Sequence, residues 1–229
     1  MNESISATAI EQTICDRATV KVMSETDLPV REVRAEVERL IAAAGWAPFH
    51  RPCDAIHQSS NELSAIEPWR MYALDACACR RLRQRLPPEN AGKLPTMLSA
   101  ADALIQVTWL PNRASEVARP SGIPQANSPL FDATIENMEH IAATAAAIQN
   151  LLLVATSMGI RNYWSSGGAL REPQVFHWLN IPADQILLGS VFLFGPPHDS
   201  AVAVGSKLRE KRSKHKLWMR WIELPPDSP

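Results

Sequence analysis

The chain has 229 residues, 46% of them hydrophobic, enough for one sizeable core. Its formal net charge of −1 excludes an overall field directed at nucleic acid or at an anionic membrane. Cys15, Cys53, Cys77 and Cys79 form no CxxC pair and meet no His/Cys pair at metal-ligand spacing. They read as reduced thiols, and no metal site is expected.

The first residues lack a basic stretch followed by an apolar one, so no secretory signal is read and a cytoplasmic location is expected. A short helix to about Cys15 is followed by Arg17-Ala18-Thr19-Val20-Lys21. Residues 29–45 place Val30, Val33, Val37, Leu40, Ile41 and Ala44 on one helical face, with Pro29 in the first turn and Gly45 at the end. Trp46-Ala47-Pro48 stops that helix. Residues 49–66 show no clean period and read as an irregular loop too long to be a mere connector. A strand is predicted over 69–75, a basic helix over 76–86 and a second strand over 103–110. The proline-rich stretch 111–130 reads as a loop or lid. A long helix then runs from about Asp132 to Met158, and a short one covers 173–179. QILLGSVFLFG at 185–195 is the strongest strand signal, apolar enough for burial on both faces. Strands interleaved with helices predict a layered α+β fold.

From Ile141 to Ile160 there is no Asp, Glu, Lys or Arg. That run is long enough to cross a bilayer, but Gln149 and Asn150 sit at its centre, where amides are costly. It reads as a buried helix of a protein core, with no membrane partner.

Four constellations could carry chemistry. In an extended segment Arg17, Thr19 and Lys21 point to one side, a donor set suited to a phosphate; a solvated edge strand fits the same pattern. Lys207 and Arg209 open a basic tail, with seven Lys or Arg against one acid between Ser206 and Arg220. Trp164-Ser165-Ser166-Gly167-Gly168 follows the long helix, and its glycines let backbone approach a ligand closely; a flexible loop with an exposed tryptophan is the bland alternative. Trp46-Ala47-Pro48-Phe49-His50 is answered later by Glu67-Pro68-Trp69-Arg70. His50, Glu67 and Trp69 are the candidate substrate contacts. Neither a Rossmann glycine signature nor a P-loop is present, and no catalytic triad stands out. Glu136 and Glu139 read as acids at a helix N-terminus.

Taken in order, these pieces resemble the FMN-dependent nitroreductase family. Arg17-Ala18-Thr19-Val20-Lys21 is similar to its R-R-S-x-R signature. Ala47-Pro48 and Pro68-Trp69 are similar to the two halves of its A-P-S-x-x-N-x-Q-P-W segment, with Phe49 at the serine, Glu67 at the glutamine and extra residues between. Ala147 to Ile160 resembles its A-x-x-N-L-L-L-A-A-x-x-x-G-L helix. A tryptophan and small-residue loop follow, as at Trp164 to Gly168, then K-x-R, as at Lys207 and Arg209.

The resemblance implies a single domain over 1–229, with 49–66 an inserted loop and 206–229 a C-terminal arm. It implies a mixed sheet flanked by helices in an intertwined homodimer, the long helix at the interface. FMN would lie there. Arg17, Thr19, Lys21, Lys207 and Arg209 would hold its phosphate and ribityl chain. Trp164 and Ser165 to Gly168 would run beside the ring, a backbone N–H near N5, while Pro48 and Phe49 come from the partner subunit. NAD(P)H would reduce the flavin, which would then reduce a nitroaromatic, a quinone or a related conjugated acceptor in the same pocket. Phe49 and Glu67 depart from the pattern. Had they closed the site, the chain would be a flavin-binding protein or pseudo-enzyme without turnover.

Overall fold

The structure, a computed structural model, describes residues 7–58, 63–87, 91–112 and 131–222. The expected loop or lid at 111–130 therefore falls, from 113 onward, outside the described residues.

The centre is a four-stranded antiparallel sheet in the order β2-β3-β5-β4: Trp69–Asp75 (β2), Ala101–Trp109 (β3), Ile186–Phe194 (β5) and Arg161–Ser165 (β4). Val20–Met23 (β1) pairs antiparallel with Val202–Gly205 (β6). One parallel bridge, Thr19 to Asn162, joins this ribbon to the β4 edge and makes the whole arrangement mixed.

Helices cover both faces: Ala7–Asp16 (α1), Arg34–Ala44 (α2), Ala55–Gln58 (α3), Ala76–Arg85 (α4), Leu94–Ala100 (α5), Ile135–Ser157 (α6) and Pro173–Trp178 (α7). Leu82, Leu98 and Val175 from α4, α5 and α7 pack with Leu104, Phe192 and Phe194. Val37 and Leu40 of α2 and Leu151 and Leu152 of α6 pack with Ile105, Val107 and Val191 on the opposite face. The period of two sends adjacent residues of β3 and β5 into different cores. All of β3 is buried as a result, and its polar members need internal partners. Thr108 donates to Gln185 Oε1 at 2.6 Å, and Ser190 donates to Gln106 Oε1 at 2.6 Å.

Two expectations are corrected. The first long helix begins at Arg34, not at Pro29, and Val30 is exposed. The Leu28 N–H donates to the Ser99 carbonyl, the Leu28 carbonyl accepts from Arg80, and the Glu32 carboxylate accepts the Arg34 N–H at 2.9 Å. These ties hold the preceding residues off the helix. Second, α6 is long and apolar enough to cross a membrane, yet within one chain only one stripe of it is buried. That stripe, with Ala143, Ala147, Ile148, Leu151 and Ala155, keeps the spacing of a helix lying on a sheet. Ile135 and Met138 remain 63% and 54% exposed.

The cysteines are free thiols. Cys79 is wholly buried on the inner face of α4, and burial pushes its thiol up to about 12. Burial also raises Cys53, while Cys15 and Cys77 are exposed. A thiol reagent is therefore expected to label Cys15 and Cys77 quickly in the native protein, and Cys53 and Cys79 only on unfolding. Fast labelling at Cys79, read by mass spectrometry, would show that the α4 face does not pack as described.

Candidate functional site

The Thr19–Asn162 bridge sets residues 17–21 beside the start of β4, running in the same direction. Returning from β6, the chain places the arm over the same residues. Ser206 N–H donates to the Thr19 carbonyl at 3.2 Å. The Arg209 guanidinium donates to the Arg17 carbonyl at 2.8 Å and to the Cys15 carbonyl. Arg17, Thr19, Ser206, Leu208, Arg209 and Arg212 enclose a recess of about 270 Å³. Among the described residues no carboxylate lies within ion-pair distance of Arg17, Arg209 or Arg212. Desolvation, then the neighbouring charges of Arg212 and Arg209, hold the Arg17 guanidinium below its ordinary value. Cations crowded together without a counter-charge form a built anion site.

Two of the sequence candidates do not line this recess. Lys21 stands over the Tyr163 ring, 4.7 Å from its centroid, in a cation–π contact. Lys207 is exposed and outside the lining. Arg212 does line it and was not singled out from the sequence. Its signal is the spacing to Arg209. The arm makes a 3-10 turn at Arg209–Lys211, and residues three apart eclipse in that geometry.

At the other end of β4 the chain turns through Ser165 to Gly168. Asn162 and Ser165 are separated by roughly 10 Å at about 3.3 Å per strand residue. Trp164 is half-buried, and its indole lies against the β5 backbone: a Cβ built on Gly189 would stand 2.0 Å from Trp164 Nε1. Ser165 Oγ accepts the Gly167 N–H at 3.2 Å. Arg171 buttresses the turn from behind, donating to the Ser166 carbonyl at 2.5 Å and to the Leu187 carbonyl at 2.6 Å. Ser166 and Gly168 stay exposed.

Gly167 has a φ of +107° and no room for a side chain, since a Cβ there would meet Leu187 Cδ2 at 2.7 Å. Gly168 has a φ of +54° in open space. Gly167→Ala should therefore cost about 1–3 kcal/mol and distort the turn, and Gly168→Ala less. Thermal unfolding of the two variants checks the order; equal losses would mean that the contact with Leu187 is not made.

The remaining candidates lie elsewhere. Phe49 meets Trp69 edge-on, ring centroids 5.8 Å apart, and Trp69 is only 7% exposed. Trp69 is thus given to the core in a single chain. Pro48 and His50 are exposed, and Glu67 is half-exposed. Arg51 fixes this segment to the start of α6 through Glu136 at 2.9 Å and Glu139 at 3.2 Å. Trp69 is on β2 and Trp164 on β4, the opposite edges of the sheet. Three strand spacings set those two strands roughly 14 Å apart. One chain does not bring Pro48, Phe49, His50, Glu67 and Trp69 to the glycine turn.

A separate cavity of about 430 Å³ lies between the 56–70 segment and residues 180–185. There His57 Nδ1 is 3.6 Å from Asp184 Oδ2. Of the constellations singled out from the sequence, only the last residue of Glu67-Pro68-Trp69-Arg70 lines it.

No protein-family model matches the sequence, and no curated protein matches it significantly. Solved structures do match the fold. A nitroreductase-like family protein from Bacillus cereus superposes with a TM-score of 0.60 at 20% identity, over 97% of this chain and 99% of that one. A candidate nitroreductase from Desulfovibrio desulfuricans, solved in complex with FMN, gives 0.57 at 15% identity over 97% and 100%. An oxidoreductase containing FMN gives 0.51 at 18% identity over 86% and 82%. The fold of this chain is the α+β, nitroreductase-like one, and the likeness at these identities is one of fold.

Proposed function

We propose that this chain is an FMN-dependent oxidoreductase that uses NAD(P)H to reduce nitroaromatics, quinones or related conjugated compounds. One observation carries the reading: a nitroreductase-like fold with an acid-free arginine recess at one end of β4 and a glycine turn at the other. FMN needs that pair, a dianion site and a flat backbone approach joined by a short polyol chain. Arg17, Thr19, Arg209 and Arg212 would hold the phosphate by charge-assisted bonds. Ser165 to Gly168 would lie beside the ring, with Gly168 presenting backbone to open space. When bound, FMN supplies the hydride chemistry; the chain supplies binding, orientation and exclusion of water. No side chain need move a proton in such a scheme, which fits a site with no acid–base triad.

The sheet geometry also supports a homodimer. The Pro48–His50 segment and the glycine turn sit at opposite edges, so a pocket using both takes one from each subunit. The unburied stripe of α6, with Ile135 and Met138, Ile10 and Ile14 on α1, and Leu217, Trp218 and Trp221 on the arm offer apolar surface for the partner. Free thiols suit a reducing compartment such as the cytoplasm.

The test is optical. Purified or FMN-reconstituted protein should show flavin absorbance that bleaches anaerobically under NADH or NADPH and returns on adding a quinone. Retained flavin without nicotinamide oxidation would instead favour a flavin-binding protein without turnover. Protein that cannot be reconstituted with FMN would sink both. Sedimentation of the same sample reads the dimer.

A further inference from the structure

The arm from Ser206 to Ile222 owes little to packing. Every one of its residues is exposed, including Leu208 at 72%, Leu217 at 78% and Trp221 at 87%. Among the described residues its hydrogen bonds to the rest of the chain go only to the carbonyls of Cys15, Arg17 and Thr19. Arg17 and Thr19 wall the arginine recess, and Cys15 lies two residues before them. The arm is thus attached at the place where Arg17, from the body, faces Arg209 and Arg212, from the arm, with no carboxylate between them. Like charges at this range repel, and the repulsion acts across the arm–body seam. A dianion placed in the recess reverses the sign of the interaction on both sides of the seam.

We propose that a phosphate monoester bound between Arg17 and Arg212 is the latch that holds the C-terminal arm to the body. This rests on reading the recess as the FMN phosphate site, and adds that loading the cofactor and docking the arm are one event. Without the anion, the arm is tied by the Arg209 guanidinium and by the Ser206 N–H, each bonded to backbone carbonyls of the body. Arg212 lines the recess from the arm and, among the described residues, has no ion-pair partner on the body, so the anion would be its link across the seam. The apolar end of the arm, Leu217 to Ile222, is then presented in a fixed place only in the loaded protein.

Limited trypsin digestion of the full chain tests this, because the arm carries cleavable bonds after Lys214 and Lys216 in every variant used. Cleavage is followed by mass spectrometry with FMN, with riboflavin, with inorganic phosphate, and with sodium chloride at matched ionic strength. FMN binding is measured separately by flavin fluorescence. If the arm must release before it is cut, FMN at 100 times its Kd should slow cleavage by up to roughly 100-fold. Inorganic phosphate should protect weakly, and riboflavin and chloride not at all. In Arg212→Ala, FMN should still bind, more weakly, yet give little protection at matched occupancy; Arg212→Lys should restore part of it. FMN binding without protection overturns the latch and leaves the cofactor reading intact. Equal protection by riboflavin overturns it too, since the ring and not the phosphate would then be responsible. Absence of FMN binding to the unaltered chain removes the cofactor reading itself, and protection by phosphate alone would then mark a recess for some other phosphate ester.

Discussion

Replacing Arg17 and Arg209 together by alanine is expected to weaken FMN binding by roughly two to four orders of magnitude. Each charge-assisted contact contributes about 1.5–3 kcal/mol, and about 1.4 kcal/mol is a factor of ten. The two single changes should not be equal in kind. Arg17 presents its guanidinium to the recess from the body, so Arg17→Ala removes charge and leaves the arm contacts, which use the Arg17 carbonyl. Arg209 spends donors on the Arg17 and Cys15 carbonyls, so Arg209→Ala also loosens the arm. Arg209→Lys keeps the charge but cannot reproduce a planar fork bridging two carbonyls. It should therefore bind FMN better than Arg209→Ala while leaving the arm as easily cut. Affinity should also fall with salt in the parent, and less steeply in the double variant, because fewer charges remain to be screened. Fluorescence titration at two ionic strengths reads all of this. Affinity for riboflavin is the internal control, since it lacks the phosphate and should change little. An unchanged FMN affinity in the double variant would mean that the recess is not the phosphate site.

How much of this was legible in the sequence differs by element. β3, β5 and α6 have strong local periods and long apolar runs, and the helix-and-strand alternation read from them matches the layered fold. α5 is only Leu94–Ala100 with Pro95 in its first turn, too short for a period to register. β4 is mostly half-buried, and β6 is exposed throughout, so neither carries the alternation of a strand with one wet face. Their existence is decided by the neighbours they pair with, which is tertiary information. In the candidate site, Arg17 and Thr19 are visible as one side of an extended segment, and Arg209 as part of a basic tail. That they meet depends on a contact 192 residues apart in the chain, which the like charge of the two clusters suggests but no local pattern reports. Arg212 was hidden among seven similar charges, and Lys21 found an aromatic face instead of the recess. The separation of Phe49 and Trp69 from the glycine turn is a property of strand order, which no local pattern reports.

Arg70 is the clearest case of a residue that the sequence concealed, and Arg70→Met carries the largest expected loss of stability. The sequence places it only in the Glu67-Pro68-Trp69-Arg70 segment at the start of a strand and gives it no role. In the structure it is 4% exposed, and its guanidinium donates to five carbonyls. Nε reaches Leu63 at 2.9 Å, Nη1 reaches Glu67 and Trp69 at 2.8 Å each, and Nη2 reaches His57 at 3.0 Å and Ala65 at 2.8 Å. An arginine has five N–H donors, so every one has a partner. Three of those carbonyls, of His57, Leu63 and Ala65, belong to the 49–66 loop that showed no period in the sequence, and the side chain ties that loop to the start of β2. The loop also closes on itself, with Cys53 N–H donating to Ile66 at 2.9 Å and Gln58 to Cys53 at 2.7 Å. Methionine fills much of the same volume but donates nothing. Each carbonyl left buried without a donor costs about 1–3 kcal/mol, and those on the exposed side can turn to water. A net loss of about 3–5 kcal/mol is expected, comparable with breaking a buried charged contact. Arg70→Lys should recover only part of it, because an ammonium has three donors and no fork to spread over five acceptors. Urea unfolding should show a lower midpoint, and hydrogen exchange should show the loss of protection centred on 53–67. A further consequence follows for the site. Trp69 is held between Arg70 and Phe49, so a loosened loop should shift the Pro48–His50 segment and change affinity for the electron acceptor more than for FMN. A midpoint shift worth less than about 1 kcal/mol would mean that the loop is held by its own closure and that the arginine only occupies the space.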